Sequence, residues 1–486
     1  MDMCHKTRQN DHDPSRKGHL NIRKMRLPRI RIKRKRRHYR VEKDVLNGNI
    51  YQQMLLFFFP IFMSYLLQQI YGFADSMILG HFVGKQGLAS VGGSATAIIN
   101  VILNLVAGIN SAVTVLVAQN YGKRDDDKVN SVIKTGFFVA IAVGALISVV
   151  MLIASPLLLD LMKQPADSRN SSLIYLRFYF VALIPYFVYQ TGLSVLRALG
   201  DIKRPIYFIL IIAVTKILFD LLFAGILKWG VFGTSLATLL SYLICAIAIL
   251  HIFKHTPDIY GYDLKKDFGY DREELNGIFN IGIPFALQSV TFALPGTIMQ
   301  SKINEFGTDA IAAYSAYNNV DNLFWCFANT ISTSTITMTG QNYGAGKYRR
   351  VRRIALCAAT MEGIGALFFG LTFNLFGYGL LKLFSNDPAV LEIGISMLKR
   401  VSSLYLLYIF VGTIFSACKG CGMAKAPMVI ALFSILFFRI FYLLAFHHDS
   451  PVDVVFCLPL SWALTSALSA LYFFTNPKLK KDPHEG

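Results

Sequence analysis

Seven ionisable residues interrupt stretches that are otherwise apolar: Asp75, Arg177, Lys216, Asp220, Asp321, Glu362 and Arg439, with Lys399 and Arg400 near a boundary. A charge at the centre of a bilayer helix costs about 2.5 to 3.5 kcal/mol on insertion scales, so each requires a partner, water or a function. Asp75 follows Pro60 by 15 residues, and Asp220 follows Pro205 by 15. At 1.5 Å per residue each acid lies about 22 Å along its helix from the proline, and prolines at similar depth bring both acids to one level. Paired carboxylates there could hold a Na+ or share a proton, because like charges brought together resist joint ionisation. Lys216 lies four residues before Asp220 on the same helix face, so a structural ion pair competes with that reading.

The elements that position these residues are membrane helices. The 486 residues are 54% hydrophobic and 16% charged, with mean hydropathy +0.46, which excludes an ordinary soluble protein. Apolar runs long enough to cross a bilayer recur along nearly the whole chain. Breaks between them predict twelve helices, near 51–79, 88–118, 132–158, 171–196, 205–227, 230–253, 278–301, 310–340, 354–381, 391–417, 426–446 and 452–475. Pro60, Pro185 and Pro284 inside spans favour kinks. Basic residues gather in alternate connections, as in Lys347, Arg349, Arg350, Arg352 and Arg353, whereas the intervening ones carry only Lys85, Lys163, Arg169, Lys228, Lys302 and Lys382. Lys and Arg are retained on the cytoplasmic side, so both termini are expected there.

Much of the +19 net charge sits in residues 1 to 50, which hold 16 of the 48 Lys+Arg around the run RIKRKRR at Arg31–Arg37. Such a run can bind nucleic acid, but before a membrane span it reads as an anchor to anionic headgroups or as an over-extended start, and no nucleic-acid partner is expected. No apolar core precedes Tyr51, so the tail lacks the pattern of a cleavable signal peptide. Cys418 and Cys421 form a CxxC without a second pair or ligand-spaced His, which argues against a metal or redox centre. No HExxH, GxSxG or phosphate-loop pattern is present, so neither an enzyme nor an ATP-driven pump is expected.

The chain repeats itself. AQNYGKRDDDKV from Ala118 recurs as GQNYGAGKYRRV from Gly340, and LRALGDIKRP from Leu196 aligns with CKGCGMAKAP from Cys418, both at a shift of 222. FVGKQGLAS from Phe82 resembles EFGTDAIAA from Glu305 at 223. The shift spans six helices, so the copies share one orientation, and parallel repeats of this kind enclose a cavity between two bundles that rock for alternating access. A duplicated channel would require a continuous polar stripe, which the scattered charges do not supply. Neither Asp75 nor Asp220 recurs in the second half, where positions near 297–299 and 442–444 are apolar, small or Tyr.

QQIYGFADSMILGHFVG, VAQNYG, LRALGDIKRP, TGQNYGAGK and CKGCGMAKAP, in this order, resemble the signatures of multidrug and toxic compound extrusion (MATE) transporters. The resemblance runs from about residue 47 to the end of the twelfth helix. It implies an all-α V-shaped fold of two six-helix lobes. Its boundaries follow as a basic cytoplasmic tail (1–49), a first lobe (50–254), a cytoplasmic linker (255–277), a second lobe (278–475) and a C-terminal tail (476–486). It further implies a monomer in the cell membrane that exports small amphiphilic compounds in exchange for Na+ or H+, with no other cofactor. A flippase for a lipid-linked precursor, from the same superfamily, is the alternative.

In the family branch most resembled, aspartates in helices 1 and 5 couple to the cation, matching Asp75 and Asp220, and Thr238 matches a nearby hydroxyl. Family members commonly carry Asn where this chain has Lys216, which sets a cation where Na+ would bind and favours H+ coupling or an anion-preferring cavity. An acid is frequent at the Asp321 position. A helix-7 acid of another branch is missing, with Gln288 the nearest polar residue. Gln68, Gln69 and Tyr71 are candidates to line the cavity, as are Asp321 and Arg439, for which an ion pair between helices is the competing reading.

Overall fold

The structure, a computed structural model, describes residues 45–83, 90–91, 94–162, 166–255 and 267–475. The basic run Arg31–Arg37, most of the FVGKQGLAS copy, the middle of the 255–277 linker and the tail 476–486 lie outside the described residues.

Twelve helical spans follow one another. The first half holds α1 (Ile50–Ile78, extended by a π turn Leu79–Val83), α2 (Ser94–Gly122), α3 (Asp126–Leu161), α4 (Ala166–Ala198), α5 (Arg204–Asp220, extended by a π turn Leu221–Ile226) and α6 (Gly230–His255). The second holds α7 (Arg272–Asn304), α8 (Thr308–Gly344), α9 (Tyr348–Leu381), α10 (Pro388–Ser402 and Ile409–Gly420), α11 (Lys425–Ala445, containing a π turn Leu432–Phe437) and α12 (Pro451–Val455 and Cys457–Thr475). Ten of the described helices are long and apolar enough to cross a bilayer, and the bent α10 makes an eleventh. The twelfth, α8, is 37 residues long but rich in Ser and Thr. Its Thr330, Ser334, Thr335 and Thr339 hydroxyls each donate to a carbonyl one turn back, which lets a polar helix be buried without orphaned donors.

One expectation is corrected. The QNYG motifs lie in the last turns of α2 and α8, where the apolar pattern has already ended. Backbone hydrogen bonding carries a helix past the hydrocarbon edge, so hydropathy underestimates its length. Pro60, Pro185 and Pro284 stand inside continuous helices, and α10 bends by 48° at Ser403–Leu404, where there is no proline. There Asn374 of α9 donates to the hydroxyls of Ser402 and Ser403, and Gly370 leaves room for the Ser402 carbonyl. Asn374 thus ties α9 to the serine hydroxyls at the break.

Each half has its own apolar core, one around Phe137, Phe180 and Phe187, the other around Phe324, Tyr405 and Trp462. Outward positions such as Leu146, Ile153, Ile364 and Leu375 stay exposed and apolar, as lipid-facing surfaces do. The start of α1 packs across onto the second half, where Phe57 and Ile61 join Ile331, Met338 and Ile354. Helix α7 crosses reciprocally onto α2, where Gly108 brings the two backbones together: a Cβ there would lie 2.2 Å from Ala286 Cα.

Candidate coupling site

Helix α5 starts with Pro205 in its first turn, after Gly200 turns the chain with φ of 90°. From that start the helix carries Lys216 and Asp220 to its far end, one turn apart, both buried. Helix α1 brings Asp75 to the same place. The Lys216 Nζ donates to Asp75 Oδ1 and to Asp220 Oδ2, each at 2.5 Å. The ammonium therefore fills the gap between the two carboxylates. Asp220 is fully buried, and its Oδ1 has no hydrogen-bond partner; the Asp75 side chain keeps 23% exposure. The triad has one positive and two ionisable negative groups in a low-dielectric setting, where a single excess charge is expensive.

Thr238 is buried in α6, and its hydroxyl donates to the Thr234 carbonyl of its own helix at 3.0 Å. Gln68 likewise donates to the Ser64 carbonyl, and Gln69 and Tyr71 are half-buried on α1. Tyr71 belongs to a cluster in which Tyr179 and Tyr186 stack edge-on against Tyr242, with Tyr175 beside Tyr179. Tyr175 is close enough to Asp75 and Asp220 to feel both charges. Sequence patterning did not single out this cluster. Its signal was available in Tyr175, Tyr179 and Tyr186, spaced by four and seven residues along one face of α4.

In the second half Asp321 and Arg439 do not pair. Asp321 accepts hydrogen bonds from Trp325 Nε1 at 2.6 Å and from the Tyr405 hydroxyl, inside an aromatic box where Phe324 stacks on Tyr405 at 3.8 Å. Arg439 donates through Nε to Ser461 Oγ at 2.7 Å. Gln288 is buried in α7 with neither amide atom hydrogen-bonded, and Glu362 is buried against Gly412. Arg177 is exposed on the surface of α4.

A second site, at the end of the bundle carrying the QNYG turns, joins the halves. Gln119 Nε2 donates to the Gly420 carbonyl at 2.9 Å, and Gln341 Nε2 donates to the Ala198 carbonyl at 2.7 Å. A Cβ on Gly122 would lie 2.0 Å from the Gln341 carbonyl oxygen, and one on Gly344 would lie 2.0 Å from that of Gln119. Gln119 and Gln341, Gly122 and Gly344, and Ala198 and Gly420 are each separated by 222 residues. The two copies of the motif therefore clasp each other by the same contacts exchanged.

Twelve helical spans among the described residues, in two crossed, duplicated halves with a buried charge cluster in one and a reciprocal clasp between them, make a multi-pass membrane protein. Residues 60–222 and 284–443 match the MatE family, and the chain belongs to it, a family of multidrug efflux transporters that act on small molecules. It is 27% identical over 365 residues to a probable multidrug resistance protein, YpnP, of Bacillus subtilis, covering 74% of this chain and 80% of the relative. It is 24% identical over 392 residues to a probable multidrug resistance protein, NorM, of Thermotoga maritima, covering 79% and 83%. Among solved structures, the fold is similar to a MOP superfamily transporter from Pyrococcus furiosus described by a binding pocket of reversed polarity, with TM-score 0.83, 21% identity, and 90% and 98% of the two chains covered. It is equally similar to an outward-facing multidrug resistance MATE transporter, with TM-score 0.82 and 20% identity over 90% and 97%.

Proposed function

We propose that this protein is a proton-coupled antiporter that exports small amphiphilic organic compounds across the cell membrane. The observation that carries the reading is the Lys216 ammonium held at 2.5 Å by both Asp75 and Asp220. With both acids ionised the triad has a net charge of −1, which one proton neutralises. Asp75 is the acid that solvent reaches, and Asp220 is the one that is sealed. A proton taken up on Asp75 weakens its bond to Lys216 and frees the end of α1 from α5. Because the start of α1 packs on the second lobe, that release changes how the lobes meet. Substrate binding reverses the step by expelling the proton, which is the differential affinity an exchanger requires.

The clasp of α2 and α8 is the inner seal in this scheme, and inward opening separates the Gln119–Gly420 and Gln341–Ala198 pairs together. The basic residues around the QNYG ends support a cytoplasmic location for that end, for both termini, for the tail 1–49 against anionic lipid, and for the linker 255–277. The protein acts as a monomer, each lobe supplying half of the path.

The ion is tested in proteoliposomes with ethidium as the probe, under an imposed pH gradient or an imposed Na+ gradient. The pH gradient drives export at least about tenfold faster than Na+, equivalent to roughly 1.4 kcal/mol. Lys216→Asn removes the resident cation and makes export respond to Na+. Export driven by Na+ and indifferent to pH in the wild type would reject the reading.

A further inference from the structure

The second lobe carries a cation in the position of Lys216 but without its acids. From Pro205 to Lys216 is 11 residues, and from the equivalent Pro427 to Arg439 is 12. The π turn Leu432–Phe437 lies inside the second interval, whereas that of α5 comes after Lys216. A π turn absorbs one extra residue, so Arg439 returns to the helix face that Lys216 occupies. One turn further, Leu443 stands in place of Asp220; counting from Pro284 as from Pro60, Met299 stands in place of Asp75. Both replacements are buried and apolar, and Met299 sulfur meets Cys457 at 3.9 Å.

Arg439 keeps only 6% exposure, and among the described residues it forms no ion pair; its one side-chain hydrogen bond is to neutral Ser461. Nearby groups are the phenols of Tyr314, Tyr317 and Tyr408 and the thiol of Cys457. Trp462, which follows Ser461 in the chain and packs against Tyr408, is buried, and its indole N–H has no acceptor among the described residues. Buried donors without an acid and walled by aromatic rings are costly unless an anion arrives to use them. A guanidinium presents a planar fork that fits a carboxylate or a phosphate.

The geometry points to Arg439 as the anion subsite of the substrate path, which takes the carboxylate or phosphate of an amphiphile whose apolar body rests on the aromatic wall of the second lobe. This deepens the exporter reading by adding amphiphiles with an anionic end to the cargo, beside the organic cations that ethidium represents, and it rests on that reading. A cation enters or leaves the first lobe, and the anionic end of the cargo docks in the second.

The test is equilibrium binding to the purified full chain, without any gradient, of two fluorescent probes with one apolar body: pyrenebutyrate and pyrenebutyl-trimethylammonium. Arg439→Met weakens pyrenebutyrate by at least about tenfold and leaves the cationic probe unchanged, while Arg439→Lys, which keeps the charge and loses the fork, binds pyrenebutyrate more weakly than wild type and more tightly than Arg439→Met. Thermal stability separates ligand binding from a structural role: Arg439→Met melts no lower than wild type, because it removes an uncompensated charge. Phosphatidylglycerol added to the micelles distinguishes the sources of the anion. Displacement of pyrenebutyrate from wild type by that lipid assigns the subsite to a phosphate headgroup, and retention assigns it to a soluble cargo. Equal pyrenebutyrate affinity in wild type and Arg439→Met, or a lower melting temperature with unchanged selectivity, would overturn the subsite. Because no ion gradient enters this measurement, either result leaves proton-driven export of ethidium to be judged separately.

Discussion

The two ends of α2 and α8 and the charged level of α5 and α11 have had different fates since the halves were duplicated. At the QNYG end the contacts that clasp the halves come in twins: Gln119 reaches Gly420 as Gln341 reaches Ala198, and Gly122 meets Gln341 as Gly344 meets Gln119. At the charged level the twins are only positional. Lys216 is clamped by Asp75 and Asp220, while Arg439 bonds a neutral serine and buried Met299 and Leu443 stand at the positions of the two acids. A seal between rocking lobes works by self-complementarity, which preserves symmetry. A coupled exchanger gains from separating the ion site from the cargo site, which breaks it.

The largest effect is expected where a buried charge loses its partner. Lys216→Ala leaves two carboxylates facing each other and destabilises the protein by about 3 to 5 kcal/mol. Thermal unfolding in detergent reads this, and adding Asp220→Asn recovers part of the loss as a coupled pair should. An unchanged melting temperature in Lys216→Ala would mean that the triad does not hold α1 to α5.

Next comes the clasp. Gly344→Val sets a Cβ where the Gln119 carbonyl oxygen already lies at 2.0 Å, so the helices must part. An overpacked contact of this kind costs about 1 to 3 kcal/mol. The closed QNYG end bears this cost, so ethidium export falls and a cysteine-reactive probe reaches that end more readily. Gln119→Ala and Gln341→Ala each lose one interlobe hydrogen bond, worth about 1 kcal/mol. Equal losses in the two variants sharpen the symmetry of the clasp, and a tenfold difference in transport between them breaks it. Smallest of all is Thr238→Val, whose hydroxyl is already spent on its own helix: export stays within about threefold of wild type, a shift of less than 1 kcal/mol.

Much of this was legible in the sequence because it depends on local pattern. Helix order followed from apolar runs, and the shift of 222 brought Gln119 to Gln341 before any contact was known. The level shared by Asp75 and Asp220 followed from two prolines and a fixed rise. Other features depend on neighbours distant in the chain. That Lys216 bridges both acids, and that Asp321 is served by Tyr405 and Trp325 instead of Arg439, is decided by packing between helices. The one-residue offset between Lys216 and Arg439 is accounted for by the π turn in α11, which apolar patterning does not reveal. The reciprocal nature of the clasp was likewise hidden, since a repeat records likeness and not contact.

Asymmetric coupling is tested most directly by pH-driven ethidium flux in proteoliposomes, comparing Asp75→Asn and Asp220→Asn with Asp321→Asn at matched protein incorporation. Coupling confined to the first lobe predicts that each of the first two lowers flux by about a hundredfold, roughly 2.7 kcal/mol, while Asp321→Asn retains proton dependence. Wild-type flux in Asp75→Asn and Asp220→Asn, or loss of proton dependence in Asp321→Asn alone, would contradict it.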